Sequence, residues 1–146
     1  MMKPLFILTT LLFSLLAFNL YAATENYSKS EPILCSVTQV NECVAWQGCE
    51  SVDPFAANIP YFMEINLAKK TISGSSTVNM PRTSKIERIE TIDDLITLSG
   101  AEPKSKEDRT KFGWMMTIST STGEMNLSAN TNDSVIVVFG SCLNKD

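Results

Sequence analysis

The sequence predicts an all-β protein: an antiparallel meander of about eight short strands that closes into a small barrel or sandwich, after an N-terminal signal peptide. Three observations predict this fold. Apolar and polar residues alternate with a period of two in several segments, and turn-forming residues separate these segments about every ten residues. All 4 cysteines follow the N-terminal leader, as expected for a domain held together by disulfides.

The N-terminus has the features of an export signal. Lys3 precedes an apolar run from Leu5 to Leu20, and small residues follow at Ala22 and Ala23. Such a run is short for a membrane span, and signal peptidase cuts after small residues. We therefore expect export to the periplasm or the cell exterior. An uncleaved N-terminal membrane anchor is the alternative interpretation.

Cleavage after Ala22 would divide the chain into three parts, and cleavage after Ala23 is the close alternative. Residues 1–22 would be the signal peptide, residues 23–32 a flexible lead-in, and residues 33–146 a single disulfide-bonded β-domain. No stable membrane anchor would remain after cleavage.

The sequence of the first half of the domain predicts three strands. Residues 33–43 are extended and rich in valine and threonine, and residues 61–68 alternate between apolar and polar. Lys69-Lys70 forms the next turn, and residues 71–73 form a short strand. Residues 74–83 are rich in serine and threonine and predict a loop.

The segment from Ser84 to Gly100 is compatible with two structures. Its isoleucines recur at helical spacing, and a capping-box pattern begins at Ser84. Its dominance by isoleucine and threonine favours two strands, Lys85–Ile92 and Leu95–Ser99, joined by a turn at Asp93-Asp94.

The last part of the chain contains the clearest hairpin. A charged loop over residues 101–111 precedes two alternating strands within residues 114–129, which flank a turn at residues 120–123. Residues 130–133 turn again into a strand over residues 134–142. Both faces of this strand are apolar, so we expect both to be covered.

Spacing favours one disulfide pairing. Cys35 and Cys43 lie on one extended strand, about 26 Å apart, and a disulfide tolerates only about 7 Å between α-carbons. Cys43 and Cys49 flank a short loop, which leaves Cys35 to pair with Cys142. Cys35 with Cys49 and Cys43 with Cys142 is the second possibility. A four-thiolate zinc site is disfavoured, because no two cysteines have the close spacing of such sites.

Charge and composition exclude several function classes. Loss of residues 1–22 removes one of 12 basic residues and none of the 16 acidic ones, so the mature net charge is −5. This balance, with no clustered basic patch, argues against nucleic-acid binding. The chain has 0 histidines, which removes the common serine and cysteine nucleophile systems and histidine-ligated metal centres. We expect no cofactor and no metal.

Carboxylates are the remaining catalytic groups. Glu64, Glu90, Asp93 and Asp94 are the candidates for a hydrolase that uses two carboxylates. The favoured interpretation is that Asp93 and Asp94 form a polar turn and that the two glutamates lie on solvent-facing sides of strands. We therefore expect no catalytic residues.

Three residues are candidates for binding. Trp46 lies in the loop between Cys43 and Cys49, where it either folds back over a barrel end, which is favoured, or projects as an interface anchor. Trp114 and Met116 share the inward side of a strand, where they would form core or line an apolar pocket.

The spacing of several short motifs resembles a group of small exported bacterial proteins without assigned function. These motifs are Cys35, Glu42-Cys43, Gly48-Cys49, Pro60, Lys69-Lys70, Gly113-Trp114 and Thr122-Gly123. The resemblance implies export and a compact β-domain, and it implies no activity.

The sequence thus predicts an exported, non-catalytic binding module that recognises a protein or envelope component. The first alternative is a small β-barrel that carries an apolar small ligand, and the second is a carboxylate-based hydrolase.

Overall fold

The structure is a computed structural model that describes residues 27, 31–74, 83–103, 111–130 and 133–144. Five predictions fall wholly or partly outside these residues. They are the signal peptide over residues 1–22, most of the lead-in over residues 23–32, most of the loops over residues 74–83 and 101–111, and the centre of the turn over residues 130–133.

The described residues form an all-β fold of ten antiparallel strands and contain no helix, as the sequence predicts. None of the described segments is therefore a helix of the length and apolarity that crossing a membrane requires. The strands are β1 (Ile33–Val44), β2 (Gly48–Ser51), β3 (Phe62–Asn66), β4 (Thr71–Gly74), β5 (Thr83–Lys85), β6 (Arg88–Ile92), β7 (Leu95–Pro103), β8 (Lys111–Ser119), β9 (Glu124–Asn130) and β10 (Ser134–Asn144).

All ten strands belong to one sheet in the order β5-β4-β3-β1-β10-β9-β8-β7-β6, and β2 pairs with β1. The two strands at the ends of this order, β5 and β6, are separated in the chain only by Ile86 and Glu87. The Ile86 amide donates to the Lys70 carbonyl at 2.9 Å, and the Glu87 amide donates to the Ser99 carbonyl at 2.8 Å. The sheet is therefore curled into a half-barrel whose two ends meet at this link.

The inner side of the curl is the hydrophobic core. Every second side chain of a strand points to the same face. The apolar residues of the alternating sequence pattern therefore point inward and fill this core. Its residues are Ile33, Cys35, Val40, Met63, Ile65, Leu67, Ile72, Ile86, Ile96, Leu98, Trp114, Met116, Ile118, Met125, Leu127, Val138 and Cys142.

The segment from Ser84 to Gly100 forms strands, as favoured, and the helical alternative is wrong. The strand predicted over Lys85–Ile92 is interrupted at Ile86-Glu87, which separates β5 from β6. Asp93-Asp94 forms the turn, and Ile92 pairs with Leu95 on either side of it. The isoleucines at helical spacing instead lie in different surroundings. Ile86 fills the core at the link between the sheet ends, while Ile92 lies exposed beside the turn.

Both disulfides form between directly opposed residues, and their pairing is the favoured one. Cys35 bonds to Cys142 across β1 and β10, and Cys43 bonds to Cys49 across β1 and β2. Disulfides form and persist in oxidising compartments, so these two bonds indicate an exported environment.

Strand β10 is less covered than the sequence predicts. Val138 is fully buried, but Phe139 is 40% exposed, and Val135 and Val137 are only half-buried. The expectation that both faces are covered is wrong, because the described strands form a single curled sheet and no described element packs as a second layer on its outer side. An apolar row therefore remains on the outer face of β10.

Candidate functional site

The most exposed aromatic residue among those described lies at the tip of the hairpin that β1 and β2 form, residues 41–51, here called the Trp46 hairpin. Asn41 pairs with Ser51 at its base, and the Cys43–Cys49 disulfide closes its stem. The ladder and the disulfide together hold the loop at its end in one geometry.

Trp46 projects fully into solvent, with a relative exposure of 104%. The expectation that it folds back over a barrel end is wrong. The Gln47 amide donates to the Val44 carbonyl at 3.1 Å, which closes a tight turn that holds Trp46 away from the sheet.

The backbone of Trp46 is left-handed, with φ at 68°. A side chain with a Cβ pays about 1–2 kcal/mol for this conformation, which glycine and asparagine adopt more easily. A bulky aromatic residue at such a position is unusual. Neither burial nor backbone preference therefore accounts for tryptophan at the tip.

The start of β10 supports the hairpin tip from the side. The Ala45 amide donates to the Asp133 carbonyl at 3.0 Å. A shallow groove runs beside the tip and is lined by Trp46, the Cys43–Cys49 disulfide and Val135, among others. This groove continues into the apolar row on the outer face of β10, because Cys43 pairs with Val135.

Strand β2 offers a strand edge for pairing. The Val52 amide donates to the Val40 carbonyl at 3.0 Å, so residues 48, 50 and 52 are the ones that face β1. In an antiparallel ladder the alternate residues direct their backbone groups the other way. The amides and carbonyls of Cys49 and Ser51 therefore point away from the sheet.

Two acidic residues face each other within the hairpin. Glu42 pairs with Glu50 across the ladder, next to the disulfide. Sequence reasoning missed this pair, although a disulfide between Cys43 and Cys49 in an antiparallel hairpin places their outer neighbours opposite one another. The cysteine spacing was the signal that would have found it.

A second candidate is a small cavity near one end of the half-barrel. Its volume is about 90 Å³, and Trp114, Met63, Ile72, Glu102 and Leu127 are among its lining residues. Trp114 is 6% exposed, and its indole Nε1 is buried with no hydrogen-bond partner among the described residues. Met116 is fully buried in the core and does not line this cavity.

The candidate carboxylates are dispersed over different elements. Glu64 lies on β3 and is half-buried, whereas Glu90 lies exposed on β6 and pairs with Arg88 at 3.8 Å. Asp93 and Asp94 form the β6–β7 turn, where the Asp94 Oδ2 accepts a hydrogen bond from Ser121 at 2.8 Å. Asp94 thus ties two turns together.

Tyr61 is an ionisable group with a perturbed pKa. The Tyr61 hydroxyl donates to Asp53 Oδ2 at 2.9 Å, and this hydrogen bond raises the pKa of Tyr61 above its usual value. Within the described part of the chain, no group of three or more cysteine, aspartate or glutamate residues is arranged to hold a metal ion.

Comparisons of the chain with protein-family models, with curated proteins and with solved structures found no match. The resemblance to small exported bacterial proteins therefore stays a prediction.

Proposed function

We propose that the protein is an exported, non-catalytic binding module that recognises a protein component of the cell envelope or exterior through the Trp46 hairpin. The observation that carries this proposal is the geometry of Trp46: fully exposed, left-handed and held by a disulfide-closed turn. Costly backbone conformations persist where function needs them.

A rigid, exposed tryptophan suits recognition for two reasons. It supplies a large contact area with few rotatable bonds, so binding orders little that was free before. Tryptophan is also enriched among the residues that dominate the free energy of protein interfaces. The groove beside the disulfide and the apolar row on β10 extend the contact surface around this anchor.

The apolar-ligand alternative is carried by the cavity beside Trp114. Its unpartnered indole Nε1 would suit a ligand with one hydrogen-bond acceptor. The cavity volume of about 90 Å³ is well below the roughly 300–1,000 Å³ typical of ligand pockets. We therefore place this function second. The dispersed carboxylates give no arrangement that favours the hydrolase alternative.

The proposed function is tested by quantitative affinity capture from an envelope extract of the source cells. Wild-type protein, Trp46→Ala and Met115→Ala are compared, because Met115 is also apolar and 50% exposed but lies on β8, remote from the hairpin. We expect one partner to be enriched by wild type and by Met115→Ala and lost with Trp46→Ala. Equal enrichment by all three proteins, or none by wild type, would overturn the proposal.

A further inference from the structure

Charge is segregated around the half-barrel. Residues 31–66 and 112–144 contain acidic residues but no lysine or arginine. These residues form β1, β2, β3, β9, β10 and most of β8, which are neighbours in the sheet. The acidic residues are Glu31, Glu42, Glu50, Asp53, Glu64, Glu124 and Asp133.

The described basic side chains lie elsewhere. Lys69 and Lys70 are in the turn between β3 and β4, Lys85 is on β5, and Arg88 is on β6. These elements lie at or near the two ends of the strand order, where the curl brings the ends of the sheet together. Among the described side chains, those of β1, β2, β3, β9 and β10 thus include acids but no lysine or arginine, and the Trp46 hairpin belongs to this part of the sheet.

The pairing of Glu42 with Glu50 adds a local repulsion to this field. Like charges directly opposite each other in a ladder destabilise it, whereas opposite charges stabilise it. A cation placed between the two carboxylates would convert the repulsion into attraction. The electrostatic energy of the hairpin is therefore lower beside a positively charged partner than in the free protein.

We propose that the partner of the Trp46 hairpin is a cationic polypeptide segment that adds to the free edge of β2 as an extended strand. This inference rests on the proposed function and names the chemistry of its partner. The outward amides and carbonyls of Cys49 and Ser51 pair with the backbone of the segment. One lysine or arginine side chain of the segment stacks on the Trp46 indole, and another lies beside Glu50, on the face that Glu50 shares with Glu42.

This arrangement explains both the exposure of Trp46 and the exposed edge of β2. Exposed tryptophan gives the strongest cation–π contact of the aromatic side chains. All four residues of Gly48–Ser51 are exposed, which leaves room for an added strand at the edge of β2. Side chains on alternate positions of that strand share one face, so a segment with a basic residue at every second position matches the acidic face of the hairpin.

The test uses three dye-labelled ten-residue peptides in which threonine alternates with lysine, glutamine or glutamate. Fluorescence anisotropy measures their binding to the exported, disulfide-bonded protein and does not depend on tryptophan emission. Four proteins are compared: wild type, Trp46→Ala, the double variant Glu42→Gln/Glu50→Gln, and the double variant Glu87→Gln/Asp93→Asn. The last removes the same charge from exposed acids at the other side of the sheet.

We expect wild type to bind the lysine peptide at least about tenfold more tightly than the other two, with an affinity that falls as salt is added. Trp46→Ala and the Glu42/Glu50 variant should each weaken binding about tenfold, and the Glu87/Asp93 variant by less than about twofold.

Equal affinity for the three peptides would overturn the inference, as would equal weakening by both charge variants, which would show general attraction to an acidic protein. If affinity capture finds a partner that depends on Trp46 while the lysine peptide fails to bind, the proposed function stands and only the cationic strand is wrong.

Discussion

Glu42 lies directly opposite Glu50 across the β1–β2 ladder, so the hairpin that presents Trp46 holds two like charges beside its disulfide. Neither has a described basic residue as its neighbour in the ladder, since β1, β2 and β10 contain no lysine or arginine. The Glu42–Glu50 pair and the left-handed backbone of Trp46 each make the hairpin less stable than it would be without them. Both features have a cost in the free protein, and the proposed complex would make use of both.

Reversing one charge of this pair should stabilise the protein. We expect Glu50→Lys and Glu42→Lys each to raise the free energy of unfolding by about 0.2–1 kcal/mol, because each places opposite charges across the ladder. The double variant restores like charges and should return to the wild-type value. Urea denaturation measures all three, and additive stabilisation in the double variant would show that the two residues do not interact.

Relieving the backbone of Trp46 should also stabilise the protein. Trp46→Asn keeps the turn but adopts the left-handed conformation more easily, so we expect a gain of about 1 kcal/mol. Trp46→Ala keeps the strain and removes only an exposed side chain, so its stability should stay within about 0.5 kcal/mol of wild type. Urea denaturation compares the two. A loss of stability in both variants would indicate that Trp46 is packed and not free.

The two disulfides should contribute unequally to stability. Cys35–Cys142 joins residues 107 apart, for which loop closure predicts about 4.7 kcal/mol. Cys43–Cys49 joins residues 6 apart, for which the same relation gives about 2.2 kcal/mol. We expect Cys35→Ala/Cys142→Ala to lower the urea midpoint more than Cys43→Ala/Cys49→Ala. The reverse order would place the main stabilisation in the hairpin.

The hydrogen bond between Tyr61 and Asp53 should be visible in a pH titration. It raises the pKa of Tyr61 above the ordinary value of 10.0, so tyrosinate absorbance should develop at higher pH than for a free tyrosine. Because the folded pKa is raised, the stabilisation from this bond is present below about pH 10 and is lost as pH rises through the folded pKa. Asp53→Asn should return the titration to its ordinary range.

Tyr27 is the control for that titration. Its hydroxyl donates to the Cys142 carbonyl at 2.9 Å, so a Tyr27→Phe background separates its signal from that of Tyr61. An unchanged midpoint after Asp53→Asn would contradict the assigned cause of the raised pKa.

Local patterns were sufficient to predict most of the fold. The turn at Asp93-Asp94 and the hairpin around Trp114 follow from alternation and turn residues alone, because both depend on neighbours in the chain. The Cys35–Cys142 pair followed from distance limits along one extended strand. Each of these inferences uses only the reach and periodicity of the backbone.

The remaining features depend on contacts that alternation does not encode. The register of β1 shifts between Val37 and Gln39, so Cys35 faces the core while Cys43 faces outward, although eight residues of strict alternation would place them on one face. The exposure of Phe139 depends on whether another layer of structure packs on the outer face of β10, and strand alternation does not show this. The exposure of Trp46 depends on how the turn leaves the sheet.

The most direct test of the proposed binding role of Trp46 is photo-crosslinking in cells that export the protein. A photoreactive amino acid replaces Gln47, next to Trp46, or Glu124, which lies exposed on β9. We expect a crosslinked protein partner from position 47 that disappears when Trp46→Ala is added, and little from position 124. Equal crosslinking from both positions, or crosslinking at position 47 that persists without Trp46, would contradict the role assigned to the Trp46 hairpin.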